Sequence, residues 1–93
     1  MSERRSKILI LRDILRTIQK KDGKAKPTHI LYGANLSHDR LKRHLNFLME
    51  NGFIEKNTVK GQTFYFLTKK GYEYLSGFNK MKDFFEAFGV DVD

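Results

Sequence analysis

Apolar residues recur at three- and four-residue spacing between Ser6 and Lys20, where Ile8, Leu11, Ile14, Leu15 and Ile18 form one stripe. That spacing predicts an amphipathic helix. Arg12, Arg16 and Lys20 stand four apart and make a polar row on it. Asp22-Gly23 predicts its end, because glycine tolerates the left-handed conformation that closes helices. Lys24-Ala25-Lys26 reads as a short linker. Pro27, the only proline, suits the first turn of a second helix, where its missing N–H costs nothing. That helix is predicted through Tyr32 and should break at Gly33-Ala34-Asn35-Leu36. Ser37 offers an N-cap hydroxyl to an unpaired backbone N–H. Asp39 lies in the following turn, where the helix dipole favours negative charge. A third helix is expected from His38 to Glu50, with Leu41, Leu45 and Leu48 on one face and Asn51-Gly52 closing it.

The period then changes. Residues 53–57 and 62–67 are rich in strand formers and flank Thr58-Val59-Lys60-Gly61, which predicts a hairpin. Thr68 caps a last helix. Its apolar positions Tyr74, Phe78, Met81, Phe85 and Phe88 are spaced four, three, four, three, a heptad-like seam. The order helix, helix, turn, helix, hairpin, helix predicts a mainly α fold with a small β-hairpin: a winged helix-turn-helix. Ninety-three residues fit a single domain. Within 1–93, residues 27–50 would be the helix-turn-helix, 53–67 the wing and 68–89 the C-terminal dimerisation helix.

Charge sharpens this picture. Residues 1–72 carry sixteen Lys and Arg against six Asp and Glu, a net of +10, whereas residues 73–93 carry two against five, a net of −3. A basic body and an acidic, aromatic C-terminal segment suggest two surfaces, one for a polyanion and one for a protein chain. The chain has no cysteine, so disulfides, thiolate zinc sites and a cysteine nucleophile are excluded. The run Ile8–Leu11 is four residues long, far short of the ~18–20 that a membrane span needs. Arg4, Arg5 and Lys7 ahead of that run mimic a signal peptide, but Arg12 and Asp13 interrupt it and no small-residue cleavage site follows. An intracellular protein is expected.

The third helix holds the candidate chemistry. Stepping 100° per residue from Leu41 points Asp39, Arg43, Asn46 and Glu50 away from the core. Lys42 and Arg40 flank them, and His38 falls nearer the buried edge. Arg43 and Lys42 have the donors for guanine O6 and N7, and Asn46 can pair with adenine N6 and N7. Arg40 and Ser37 are better placed for phosphate, and His38 completes the candidate set on this helix. Asp39 has three readings: a cytosine acceptor, a brace for Arg43, or a partner of the helix dipole. The wing contributes Lys56, Asn57, Lys60 and Gln62, with Lys60-Gly61 at its tip facing backbone or minor groove. Lys24 and Lys26 lead into the helix-turn-helix as phosphate contacts. Arg4, Arg5 and Lys7 form either a phosphate-binding arm or a disordered terminus.

Other chemistries find little support. His38 and His44 are six apart and diverge on their helix, so no metal site is expected, and His44 reads as packed at a core edge. A triad drawn from Ser37, His44 and Asp39 fails because Ser37 is explained as a cap. His29 faces DNA or covers the second helix. No cofactor and no enzymatic activity are expected. The seam Tyr74, Phe78, Met81, Phe85 and Phe88, with Phe84 beside it, is either folded on its own core or a dimer interface. The Leu and Ile stripes fill the core already, so a homodimer is expected.

Three stretches carry a resemblance. Residues 27–37 (PTHILYGANLS), 45–54 (LNFLMENGFI) and 67–75 (LTKKGYEYL) resemble, in order, the helix-turn-helix start, the recognition-helix end and the final-helix opening of small archaeal winged-helix regulators. The length and aromatic C-terminus are also similar to a winged-helix protein of a Sulfolobus spindle-shaped virus. The resemblance implies a homodimeric DNA-binding transcriptional regulator with a MarR-like arrangement. There the first and last helices form the interface and the recognition helices enter successive major grooves of double-stranded DNA. Some relatives end in a long coiled-coil helix, whereas the final segment here stops about twenty residues after Thr68. A non-specific architectural DNA-binding protein and a winged-helix protein-interaction module are the alternatives.

Overall fold

The computed structural model describes residues 5–92. Helix α1 (Lys7–Lys20) buries Ile10, Leu11, Ile14, Leu15 and Ile18. Two positions depart from the expected pattern. Ile8 is exposed and Arg12 is buried. The burial of Arg12 follows from the approach of the last helix, α4 (Lys69–Ala87), to the flank of α1, which leaves the Ile8 side chain uncovered. Tyr74 of α4 donates its hydroxyl to the Ile8 carbonyl at 2.9 Å. The Arg12 guanidinium lies 4.9 Å from the Phe78 ring and donates to Asp13 at 2.9 Å. The planar, delocalised guanidinium tolerates such stacking.

Lys21 caps α1, and Asp22 and Gly23 take positive φ to turn the chain. The segment expected to be a linker is instead a strand, β1 (Lys24–Ala25), antiparallel to β3 (Gln62–Leu67) with Lys24 opposite Phe66 and Ala25 opposite Tyr65. The sheet is therefore three-stranded, in the order β1-β3-β2, with β2 spanning Ile54–Val59. Two residues show no periodicity of their own, and the pairing that makes them a strand is about forty residues away in sequence.

Helix α2 (Pro27–Ala34) begins with Pro27 in its first turn and runs two residues past the expected break. Gly33 lies inside it because α2 crosses α1 there. A Cβ on Gly33 would stand 2.5 Å from Thr17 Cγ2 and 2.7 Å from its Oγ1. The turn is made by Asn35, which caps α2 at φ 55°, and asparagine is among the few non-glycine residues that adopt this conformation readily. Helix α3 (His38–Glu50) starts at Ser37, whose hydroxyl accepts from the Arg40 N–H at 3.3 Å, and buries Leu41, Leu45 and Leu48.

β2 and β3 are joined by Lys60-Gly61 alone, both at positive φ. This is the backbone that a two-residue hairpin turn favours, so β2 runs two residues further than the sequence suggests, while β3 spans the expected residues. Thr68 then caps α4, accepting from the Gly71 N–H at 3.1 Å and donating to the Gly52 carbonyl. The most deeply buried side chains, Ile14, Leu15, Ile18, Ile30, Leu48 and Ile54, come from α1, α2, α3 and β2. Burying a side chain of this size contributes roughly 1.5–3 kcal/mol. Four helices and a three-stranded antiparallel sheet thus make a winged-helix fold with one core.

Candidate nucleic-acid interface

The cap at Ser37 and the leucine face fix the rotation of α3, and so decide what it shows to solvent. Asp39, Lys42, Arg43, Asn46 and Glu50 are exposed, as the sequence predicts, and Arg40 is half-buried. His38 departs from expectation. It is exposed, because as the first residue of α3 it has no preceding helical turn to cover it.

Two grooves flank this ridge. The first, of about 340 Å³, lies between α3 and the sheet. Leu41, Leu45, Met49 and Tyr65 give it an apolar floor, while His38, Asp39, Lys42, Asn46 and Lys56 supply its polar lining. Lys56 stands opposite Tyr65 in the ladder, so its side chain leaves the sheet on the same face as Tyr65, toward α3. Burial raises the Tyr65 phenol above its ordinary pKa, which keeps it neutral. The second groove, also about 340 Å³, lies between α3 and the start of α1, lined by Lys7, Ile10, Arg40, Arg43, His44 and Phe47. Burial first, then the charges of Arg40, Arg43, Lys7 and Arg5, lowers the pKa of His44.

The remaining candidates divide by location. Lys60 is exposed at the wing tip, and Gln62 and Asn57 are exposed on the wing strands. Asn57 pairs with Phe64 and Lys24 with Phe66, so both project from the sheet face opposite Tyr65 and α3. The Lys24 ammonium sits 4.6 Å from the Phe64 ring there. Lys26 is the half-buried residue before α2, and His29 is exposed on α2. Arg5 is held to Asp13 at 2.7 Å and to the Asn35 carbonyl at 3.1 Å. Lys7 lies 3.6 Å above the Phe47 ring. Both are thus docked on the body rather than extended as an arm, while Arg4 lies outside the described residues. Sequence reasoning missed the grouping of His44 with Lys7, Arg40 and Arg43. Arg40 and His44 are i and i+4, a helical pair that carried this signal.

The seam on α4 divides in two. Phe78 is buried and Tyr74 and Met81 are partly buried, whereas Phe84, Phe85 and Phe88 are 60%, 40% and 73% exposed. These three rings cluster at centroid distances of 5.4 and 5.2 Å. No helix among the described residues is long and apolar enough to cross a membrane.

Comparison with known proteins agrees with this architecture. An uncharacterised protein of Methanocaldococcus jannaschii, MJ0287, is 39% identical over 57 residues, which is 61% of this chain and 57% of that protein. The match thus spans little more than half of that relative. The structure of Sso10a-2, a DNA-binding protein from Sulfolobus solfataricus, superposes with a TM-score of 0.78 at 24% identity, covering 90% of this chain and 85% of that one. A winged-helix DNA-binding protein from STIV gives a TM-score of 0.74 at 12% identity, covering 83% and 90%. At such identities the likeness is one of fold. The winged helix-turn-helix family model matches residues 4–86, and the chain belongs to that family.

Proposed function

We propose that the chain is a sequence-specific double-stranded DNA-binding transcriptional regulator that acts as a homodimer in a MarR-like arrangement. The observation that carries this reading is the ridge of Lys42, Arg43 and Asn46 on α3, bordered by Lys56 on one side and by Lys7 and Arg40 on the other. A helix with outward donors along its first turns suits the major groove. Cations on both flanks suit the two phosphate backbones that border that groove. Arg43, Lys42 and Asn46 read base edges in this proposal. Ser37, His38 and Arg40 hold phosphate, and Lys60 reaches backbone or minor groove from the wing. Lys26 lies at the start of α2, beside the same surface, and Lys24 is left off it.

The exposed Phe84, Phe85 and Phe88 support dimerisation, with the partly buried Met81 and Tyr74 continuing the surface back toward α1. A cluster of three aromatic rings is an unusual thing to leave to water. A two-fold dimer predicts pseudo-palindromic half-sites about one helical turn apart. If each protomer neutralises about four phosphates, log K should fall with log salt at a slope of roughly −7.

Selection of bound duplexes from a random library at physiological salt tests the reading. An inverted repeat supports it. Retained binding without a motif replaces it with an architectural role, and no binding at all replaces it with a protein-interaction module.

A further inference from the structure

We infer that the cleft between the start of α1 and the flank of α3 is a binding site for one backbone phosphate, in which His44 takes up a proton as the phosphate enters. This rests on the DNA-binding reading for the identity of the ligand, but the site itself stands on its own geometry.

Lys7 reaches the cleft from α1, and Arg40, Arg43 and His44 from α3, over a floor of Ile10 and Phe47. No carboxylate lines it among the described residues. Lys7 is fixed above the floor by its contact with the Phe47 ring, 3.6 Å away. Arg5 adds positive charge nearby, although its guanidinium is bound to Asp13 and to the Asn35 carbonyl. Three full cations around a partly covered imidazole repel one another unless an anion joins them. A phosphate diester supplies the missing charge and accepts hydrogen bonds from Lys7 and Arg40, with Arg43 adding charge from beside it while its guanidinium reads the base edge.

The groups facing His44 are Arg40 and Arg43 from its own helix, with Lys7 and Arg5 from the chain segment packed against it. All are cationic, and with burial they hold the imidazole neutral in the free protein near pH 7. A phosphate among them offsets part of that positive field and, in direct contact with the ring, favours the imidazolium, which then donates to it. The proton comes from solvent. Binding and proton uptake are therefore linked, and each must strengthen the other. Affinity rises as pH falls through the pKa of the bound state and levels off below that of the free state. Over that window the gain is at most tenfold per pH unit per protomer.

Two experiments on the whole chain test this. The first follows the three imidazole rings by NMR between pH 5 and 8, with and without inorganic pyrophosphate as the probe. The expected result is a rise in the titration midpoint of His44 that exceeds the rises at His29 and His38, and that Lys7→Gln reduces. Equal shifts at all three rings, or none at His44, overturn the site. The second measures affinity for one selected duplex between pH 6 and 7.5 for the wild type and for His44→Gln, which keeps a donor but does not titrate. The wild type should gain several-fold more affinity than the variant as pH falls. Parallel pH profiles overturn the proton linkage. A selective pyrophosphate response at His44 in a protein that binds no duplex sustains the anion site and refutes the DNA-binding reading instead.

Discussion

Gly33→Ala should destabilise the protein, although the same change inside most helices does the opposite. Alanine is about 1 kcal/mol more favourable than glycine in a helix interior, and Gly33 lies within α2. Its new methyl would meet Thr17 Cγ2 at 2.5 Å, Oγ1 at 2.7 Å and Cβ at 3.1 Å. A β-branched side chain on a helix has little rotamer freedom with which to yield. The Thr17 hydroxyl is also bound to the Asp13 carbonyl at 2.8 Å. The helices must then separate, and forcing an extra methyl into a packed contact costs typically 1–3 kcal/mol. Against the propensity gain, the net loss is about 0–2 kcal/mol. That is a fall in Tm of up to roughly 15 °C for a domain of this size. Thermal unfolding followed by circular dichroism measures it. Thr17→Ala removes the two nearest atoms, so the cost of Gly33→Ala should shrink by at least about 1 kcal/mol in that background. A raised Tm for the single variant, or the same cost in both backgrounds, refutes the reasoning.

Four further outcomes are expected. Arg43→Ala should cost ~1–3 kcal/mol in binding to the selected duplex and relax base preference at one position, and equal losses on selected and random DNA would count against base reading. Lys60→Asn should weaken all sequences evenly and make the salt slope shallower by about 1. Because asparagine accepts the positive φ of this turn better than lysine, it should also leave the hairpin as stable or more so, as chemical denaturation would show. Ser37→Ala should lose about 1 kcal/mol of folding stability through the missing cap. The wild type should sediment at twice its 11.0 kDa chain mass at tens of micromolar, and Phe84→Asp with Phe88→Asp should halve that mass without loss of helical circular dichroism.

What could be read in the sequence was whatever has a local cause. The leucine face of α3, its Ser37 cap, the Thr68 cap and the strand formers of β3 are each fixed by neighbours within a few residues, and each stands where expected. The helical wheel therefore located Arg43, Asn46 and Lys42 correctly on the outward face. Features made by distant contacts were hidden. β1 exists only through its pairing with Tyr65 and Phe66. Arg12 is buried because α4 lays Phe78 against it. Gly33 continues its helix because Thr17 occupies the space a side chain would need. The grouping of Lys7 with His44 likewise depends on how α1 packs beside α3, which no window on the chain contains.

Helix α4 is one unbroken rod from Lys69 to Ala87, yet its two halves serve different ends. Leu75 and Phe78 belong to the packed body, and the turns bearing Phe84, Phe85 and Phe88 stand clear of it. With no hinge between them, the aromatic cluster is keyed to the body by helical phase alone. One residue inserted after Asn79 would advance the cluster by ~1.5 Å and swing it by ~100° about the helix axis. The body would be left untouched. In the proposed dimer, small insertions or deletions at this one place would thus re-aim the aromatic cluster, and with it the distance between the two α3 ridges, while each ridge stays the same.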